Sequence, residues 1–192
     1  MHIALDVDGP VADIHTEWLR RYNLEYDDTL VVADIKDWDF AHITKPECGK
    51  LIYDILKLPD FYSGISPKPG ALDAIAQLQR AGHRITFATA CGRGMMDQKA
   101  DWMVRQALCV SWHNSTLPPN FAPVTDKSLI DADVLIDDGI HNINGWTAKR
   151  RRSAILMTFP WNAGKPVANE WLVNRAATWP EIVKLIEGTH AH

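Results

Sequence analysis

The chain has 192 residues, 46% apolar, 23% charged and 9% aromatic, a make-up that excludes a disordered or fibrous chain and fits one globular domain. A formal net charge of −4 argues against a broad basic face for duplex nucleic acid, yet leaves room for a small anion held by a few cations or a metal. Cys48, Cys91 and Cys109 form no CxxC and no zinc-like cluster, so they read as reduced thiols; with neither a signal peptide nor a bilayer-spanning apolar run, the expected compartment is the cytoplasm, away from membranes.

Residues 1–7 predict a short buried strand ending in acidic residues. A turn at Gly9-Pro10 and a helix over 11–22 follow, with Pro10 suited to the first helical position because its missing N–H would have no partner there. Residues 24–66 are less regular, mixing aromatic and acidic residues (Asp37-Trp38-Asp39-Phe40) around one helix over 46–56. Pro59, Pro67 and Pro69 punctuate the end of this stretch. From Gly70 the pattern sharpens. A helix over 71–81 carries Leu72, Ile75, Ala76 and Leu78 on one face and stops at Gly82. A strand over 83–88, a helix over 95–108 and a short strand near 109–112 come next, before a Pro-containing loop. A buried strand over 134–136 runs into Asp137-Asp138-Gly139; a strand over 154–159 and a helix over 180–187 complete the series.

Strands alternating with helices predict an α/β fold, a Rossmann-like parallel sheet with helices on both faces. The expected core spans 1–14 and 67–192. A small, mainly helical cap over 15–66 is inserted after the first strand. In such sheets the ligand lies beyond the carboxyl ends of the strands.

Four strand ends therefore matter. Asp6 and Asp8 are two apart and can face one ligand, which costs energy unless a cation or proton is shared between them. Taken alone, a DxD is more often an ordinary turn. Thr89 ends the second strand and could equally cap a turn, and a lone loop lysine such as Lys127 is usually a solvated charge. Asp137 and Asp138 close a fully apolar strand, where carboxylates need partners.

Together the order strand-DxDG, strand-Thr, Lys, strand-DD resembles the haloacid dehalogenase-like phosphohydrolase superfamily. A receiver domain also combines acids, Thr and Lys, but its acid pair comes early, whereas here a second pair comes last. The resemblance tightens in one subgroup, the 5′(3′)-deoxyribonucleotidases. Asp6-Val7-Asp8-Gly9-Pro10-Val11-Ala12-Asp13 is similar to their DxDGVLAD opening, and Pro67-Lys68-Pro69-Gly70-Ala71 to their PLPGA. Lys99-Ala100-Asp101-Trp102-Met103-Val104 resembles their KxxWV helix, and Asp126-Lys127-Ser128 with 132–138 their DKT…ADLLIDD run. Pro10 replaces the usual Val, and Ala90 stands after Thr89 where Ser is usual.

The resemblance implies a phosphomonoester hydrolase with Asp6 as nucleophile and Asp8 as general acid and base. It implies phosphate contacts from Thr89, Ala90 and Lys127, with further donors from the N-terminus of the helix after Gly9. An all-oxygen ligand set favours Mg²⁺ over zinc. By resemblance the ligands are the side chains of Asp6 and Asp138 and the carbonyl of Asp8, with Asp137 supporting or alternating. Ile14, Trp38 and Phe40 fall where the subgroup packs a nucleobase; the alternative is that Trp38 and Phe40 only bury the cap. The acid at Asp8 speaks against dehalogenation, since a halide leaves without a proton. The expected substrate is a deoxyribonucleoside or ribonucleoside monophosphate. A sugar phosphate or other small organic phosphate is the alternative enzyme reading, and a non-catalytic nucleotide-binding module the alternative of another class. A homodimer is left open. Cys91-Gly92-Arg93-Gly94 lacks the spacing of a cysteine phosphatase loop, and Trp146, Trp161, Trp171 and Trp179 carry no assigned role.

Overall fold

Ile3 and Leu5 belong to one hydrophobic cluster and Ala4 to another, so the two sides of the first strand face two different layers. The computed structural model describes residues 1–92, 94–109 and 120–188 and extends this alternation across six strands. These are β1 (His2–Leu5), β2 (Arg84–Thr89), β3 (Phe121–Pro123), β4 (Val134–Asp137), β5 (Ser153–Met157) and β6 (Val173–Ala176). They form one wholly parallel sheet in the order β3-β2-β1-β4-β5-β6. Ile85, Phe87, Ile136 and Ile155 share the layer of Ile3 with α2 (Ala71–Arg80), α3 (Met96–Arg105) and α5 (Trp179–Gly188). Ala88, Leu135, Ala154 and Leu156 share the layer of Ala4 with Ile143 and Trp146 of α4 (Ile140–Arg150). Small residues on this second side let α4 bring its large Trp146 against the strands, where the indole donates to the Ser153 carbonyl at 3.0 Å.

The order of the sheet is what makes a site. The chain lays β2 and β3 on one side of β1, then returns to lay β4, β5 and β6 on the other. The reversal falls between β1 and β4, and the crevice at their carboxyl ends is where such sheets bind ligands. Registers of Leu5 with Ile136 and Leu5 with Phe87 bring the three strand ends level.

Between β1 and α2 lie α1 (Ile14–Tyr26) and four 3₁₀ turns, the longest over Gly49–Lys57. Trp18, Tyr22, Phe40, Ile52, Phe61 and Tyr62 from this stretch join the same cluster as the first face of the sheet. Among the described residues no helix is long and apolar enough to cross a membrane.

Several predicted bounds shift. The helix expected from residue 11 begins at Ile14, because Val11 and Ala12 donate back to the Val7 carbonyl and Asp13 donates to Ser66. Pro10 thus sits in a loop rather than at a first helical position, with its carbonyl taking the Trp179 indole N–H at 2.9 Å. The helix expected over 46–56 is the 3₁₀ turn Gly49–Lys57, and the strand expected to reach residue 159 stops at Met157. Most of the strand expected near 109–112 lies outside the described residues. The short edge strands β3 and β6 were not anticipated: β3 is three residues ending in Pro123, and β6 exposes Asn174 and Arg175. Neither carries the apolar run by which an inner strand is recognised.

Candidate active site

The two acid pairs meet where the sheet order predicts. Asp6 follows β1 and donates its backbone N–H to Ile136 of β4 at 2.9 Å, so it lies beside the end of the strand that carries Asp137 and Asp138. Carboxylate oxygens of Asp6, Asp137 and Asp138, all buried, lie within 4.8 Å of one another. Lys127, from the 3₁₀ turn Lys127–Leu129, is inserted among them, 2.8 Å from Asp6 Oδ1 and 2.5 Å from Asp137 Oδ2. Asp137 is fully engaged, since its Oδ1 also accepts from the Gly139 amide at 2.7 Å and from Asn142 at 3.1 Å. Asp138 differs. Its buried Oδ1 has no hydrogen-bond partner among the described residues, while Asn162 donates to its backbone carbonyl at 2.9 Å.

A second cation serves the next part of the site. Lys99 reaches from the buried side of α3 to Asp8 Oδ2 at 2.8 Å, Thr89 Oγ1 at 2.7 Å and the Ala90 carbonyl at 2.9 Å. The Tyr62 hydroxyl donates to Asp8 Oδ1 at 2.5 Å. Asp8 is thus held through both oxygens, yet its side chain remains 25% exposed toward the crevice.

The electrostatics call for more positive charge than the side chains supply. Burial pushes the Asp6 carboxyl up to about 7; Lys127 opposes the rise, and Asp137 and Asp8 add to it. Burial, then Asp137 and Asp6, drives Asp138 well above the carboxylate range. Burial works against the Lys127 ammonium, but Asp137 and Asp6 outweigh it and hold its pKa above the ordinary lysine value. Four carboxyl groups face two ammonium groups here; with all four ionised the excess would be two negative charges, which one divalent ion would balance. The donor set fits such an ion: oxygens only, among them an orphaned buried one on Asp138.

Beside the acids lies a cavity of about 360 Å³, lined by Asp6, Asp8, Thr89, Ala90, Lys127 and Asp138 at one end and by rings at the other. That size suits a small organic molecule. Ile14, Trp38 and Phe40 all line it, as do Trp18, His15 and Trp161. The His15 ring packs tilted against Trp161, at 34° with centroids 4.1 Å apart, and burial, with Lys68 nearby, lowers its pKa to about 4. Trp38, 55% exposed, meets His141 edge-on at 4.8 Å. The backbone donors expected from a helix N-terminus after Gly9 are not offered: the helix starts at Ile14, Pro10 has no N–H, and the amides of Gly9, Val11, Ala12 and Asp13 are bonded to the carbonyls of Ala12, Val7 and Ser66.

A family model described as 5′ nucleotidase, deoxy (pyrimidine), cytosolic type C protein matches residues 1–191. The chain belongs to this family. It is a phosphatase of the haloacid dehalogenase-like superfamily. A 5′(3′)-deoxyribonucleotidase of Clostridium acetobutylicum is 32% identical over 148 residues, 77% of this chain and 78% of that protein. One of Bacillus subtilis is 26% identical over 181 residues, covering 94% and 95%. A solved haloacid dehalogenase family hydrolase of Deinococcus radiodurans, with bound phosphate and sodium, superposes with a TM-score of 0.60 at 12% identity over 97% of this chain and 95% of that one, a likeness of fold.

Sequence reasoning brought Asp6, Asp8, Thr89, Ala90, Lys127, Asp137 and Asp138 to one crevice, and the structure assembles them there. It passed over Lys99, Tyr62, His15, Trp161 and Asn162. Two had a signal. Lys99 shares its helix face with buried Trp102 and Met103 three and four residues on, so it was due a partner inside. Asn162 lies just past β5, where the strand-end rule applies. Nothing local distinguished Tyr62 from its packing neighbour Phe61.

Proposed function

We propose that this phosphatase is Mg²⁺-dependent, works through an aspartyl-phosphate on Asp6, and acts on nucleoside monophosphates, with deoxyribonucleotides preferred. The observation that carries the proposal is one cavity shared by an acid–lysine cluster and a set of aromatic rings. Residues 15–66 would serve as the cap, contributing Ile35, Trp38, Phe40 and Tyr53 to the far wall. The names of the two relatives, both 5′(3′)-deoxyribonucleotidases, support the substrate class. The family description, which names a cytosolic type, supports the cytoplasm as compartment.

In the first step an Asp6 carboxylate oxygen attacks phosphorus, the ester P–O bond breaks, and Asp8 gives its proton to the departing nucleoside oxygen. In the second step water attacks the acylphosphate while Asp8 takes a proton from it. The bond to Asp6 then breaks and inorganic phosphate leaves. Thr89, the Ala90 backbone and Lys127 would hold the phosphoryl oxygens, and Lys127 offsets charge on Asp6 as the substrate dianion approaches. Asp6, Asp138 and the Asp8 carbonyl would hold the magnesium ion, which when bound supplies charge neutralisation for carboxylates and phosphate together. The unpartnered Oδ1 of Asp138 supports its choice over Asp137, whose oxygens are already taken by Lys127, Gly139 and Asn142. The rings pack the base.

The test is phosphate release across deoxynucleotides, ribonucleotides and sugar phosphates with Mg²⁺, repeated for Asp6→Asn. Deoxynucleoside monophosphates should lead, and the variant should fold while losing more than about 1,000-fold in turnover. A preference for sugar phosphates would overturn the substrate, and retained turnover the covalent route.

A further inference from the structure

We infer that Tyr62 is a positioning residue for the proton transfer, orienting Asp8 toward the leaving-group oxygen from the segment that precedes α2. The inference rests on the reading of Asp8 as general acid and base. Asp8 lies three residues past the end of β1, in the turn that enters Gly9-Pro10, and a carboxyl there would sample several rotamers. Instead Tyr62 takes Oδ1 at 2.5 Å and Lys99 takes Oδ2 at 2.8 Å, with the Lys99 ammonium 5.7 Å from the Tyr62 ring centre. These contacts fix the carboxyl plane.

The two partners differ in kind. Lys99 can only donate, and it also ties Thr89 and Ala90, so removing it disturbs the phosphate end as well. Among the described residues, the Tyr62 hydroxyl hydrogen-bonds to Asp8 alone. The hydroxyl can donate to an oxygen of Asp8 whether that group is acid or carboxylate, which leaves the acid's own proton for the leaving group, so this contact is available in both steps. The ring that carries it is itself fixed. Tyr62 is 1% exposed, sits in the 3₁₀ turn Phe61–Ser63, packs edge-on against Phe61, and receives Arg105 at its carbonyl. Arg21 of α1 in turn lies over the Phe61 ring and pairs with Asp60. The turn that completes the acid is therefore clamped by α1 on one side and α3 on the other. Catalysis is thereby coupled to the seating of the segment that also walls the nucleotide cavity.

The discriminating variant is Tyr62→Phe, which removes one oxygen and keeps the ring. Rates with a deoxynucleoside monophosphate, whose alkoxide needs a proton, are compared with p-nitrophenyl phosphate, whose phenolate does not. The ratio of the two kcat/KM values, measured on one preparation, is insensitive to the fraction of protein folded. Loss of a hydrogen bond to an ionisable group predicts a fall of about 10- to 100-fold for the nucleotide and about threefold or less for the aryl ester. Asp8→Asn is run alongside. Selective loss in both variants supports the inference. Selective loss in Asp8→Asn with an unchanged ratio in Tyr62→Phe overturns the role of Tyr62 and leaves the mechanism standing. Equal loss for both substrates in Asp8→Asn overturns the acid–base reading and the inference with it.

Discussion

Replacing Gly9 by alanine probes the proposed metal site without replacing any of its ligands. Gly9 has φ of +92°, and a Cβ built there would stand 2.7 Å from Asp138 Oδ2 and 3.0 Å from its Cγ. The backbone conformation alone should cost about 1–3 kcal/mol. The contact matters more. Ordinary van der Waals separation begins near 3.4 Å, so the Asp138 carboxylate must retreat by about 0.7 Å. Asn162 pins the Asp138 carbonyl, so the side chain must move rather than the strand. Metal ligands tolerate about 0.2 Å of displacement, and Mg²⁺ is the stricter ion in its geometry. The half-saturating Mg²⁺ concentration in a phosphate-release assay should therefore rise at least about tenfold, equivalent to 1.4 kcal/mol of binding. Urea unfolding in chelator should report the strain separately. A folded Gly9→Ala protein with an unaltered Mg²⁺ requirement would refute the assignment of Asp138 as a direct ligand.

His15, half-buried with its pKa lowered to about 4, should make the protein acid-sensitive: the unfolded chain takes up the proton first, so the contribution is present above about 6.5 and is lost as pH falls toward 4. Over that window it amounts to at most about 3 kcal/mol, and His15→Gln should flatten the fall in urea midpoint; an identical slope in both proteins would contradict it. Lys99→Met leaves Asp8, Thr89 and Ala90 without their shared donor, and the unfolding free energy should drop by about 2–3 kcal/mol, at the low end for a broken buried pair because Asp8 is partly exposed. An unmoved midpoint would show that Lys99 is not part of the structural tie between the ends of β1 and β2.

The motif order decided the fold and the acids. Asp6 and Asp8 after one apolar strand, Thr89 after another and Asp137-Asp138 after a third need only the rule that parallel strands present their carboxyl ends together. Strongly periodic helices such as α2 were legible for the same reason: their apolar residues recur at the helical repeat. Where the signal is not periodic, local reading failed. Residues 9–13 look like a helix start, but hydrogen bonds to Val7 and Ser66 hold them in a loop, and a bond to a residue fifty positions away leaves no local trace. Two edge strands escaped for want of apolar runs.

The sequence by itself determined which residue types reach the crevice, because alternation and strand ends are one-dimensional properties. Only the tertiary structure decided how they divide the work. Lys127 occupies Asp137 and leaves an oxygen of Asp138 unpaired, and Lys99 and Tyr62 converge on Asp8 from α3 and from the turn before α2. Which of two adjacent carboxylates is free depends on angstrom-scale packing between segments far apart in the chain, and no spacing along the chain encodes that.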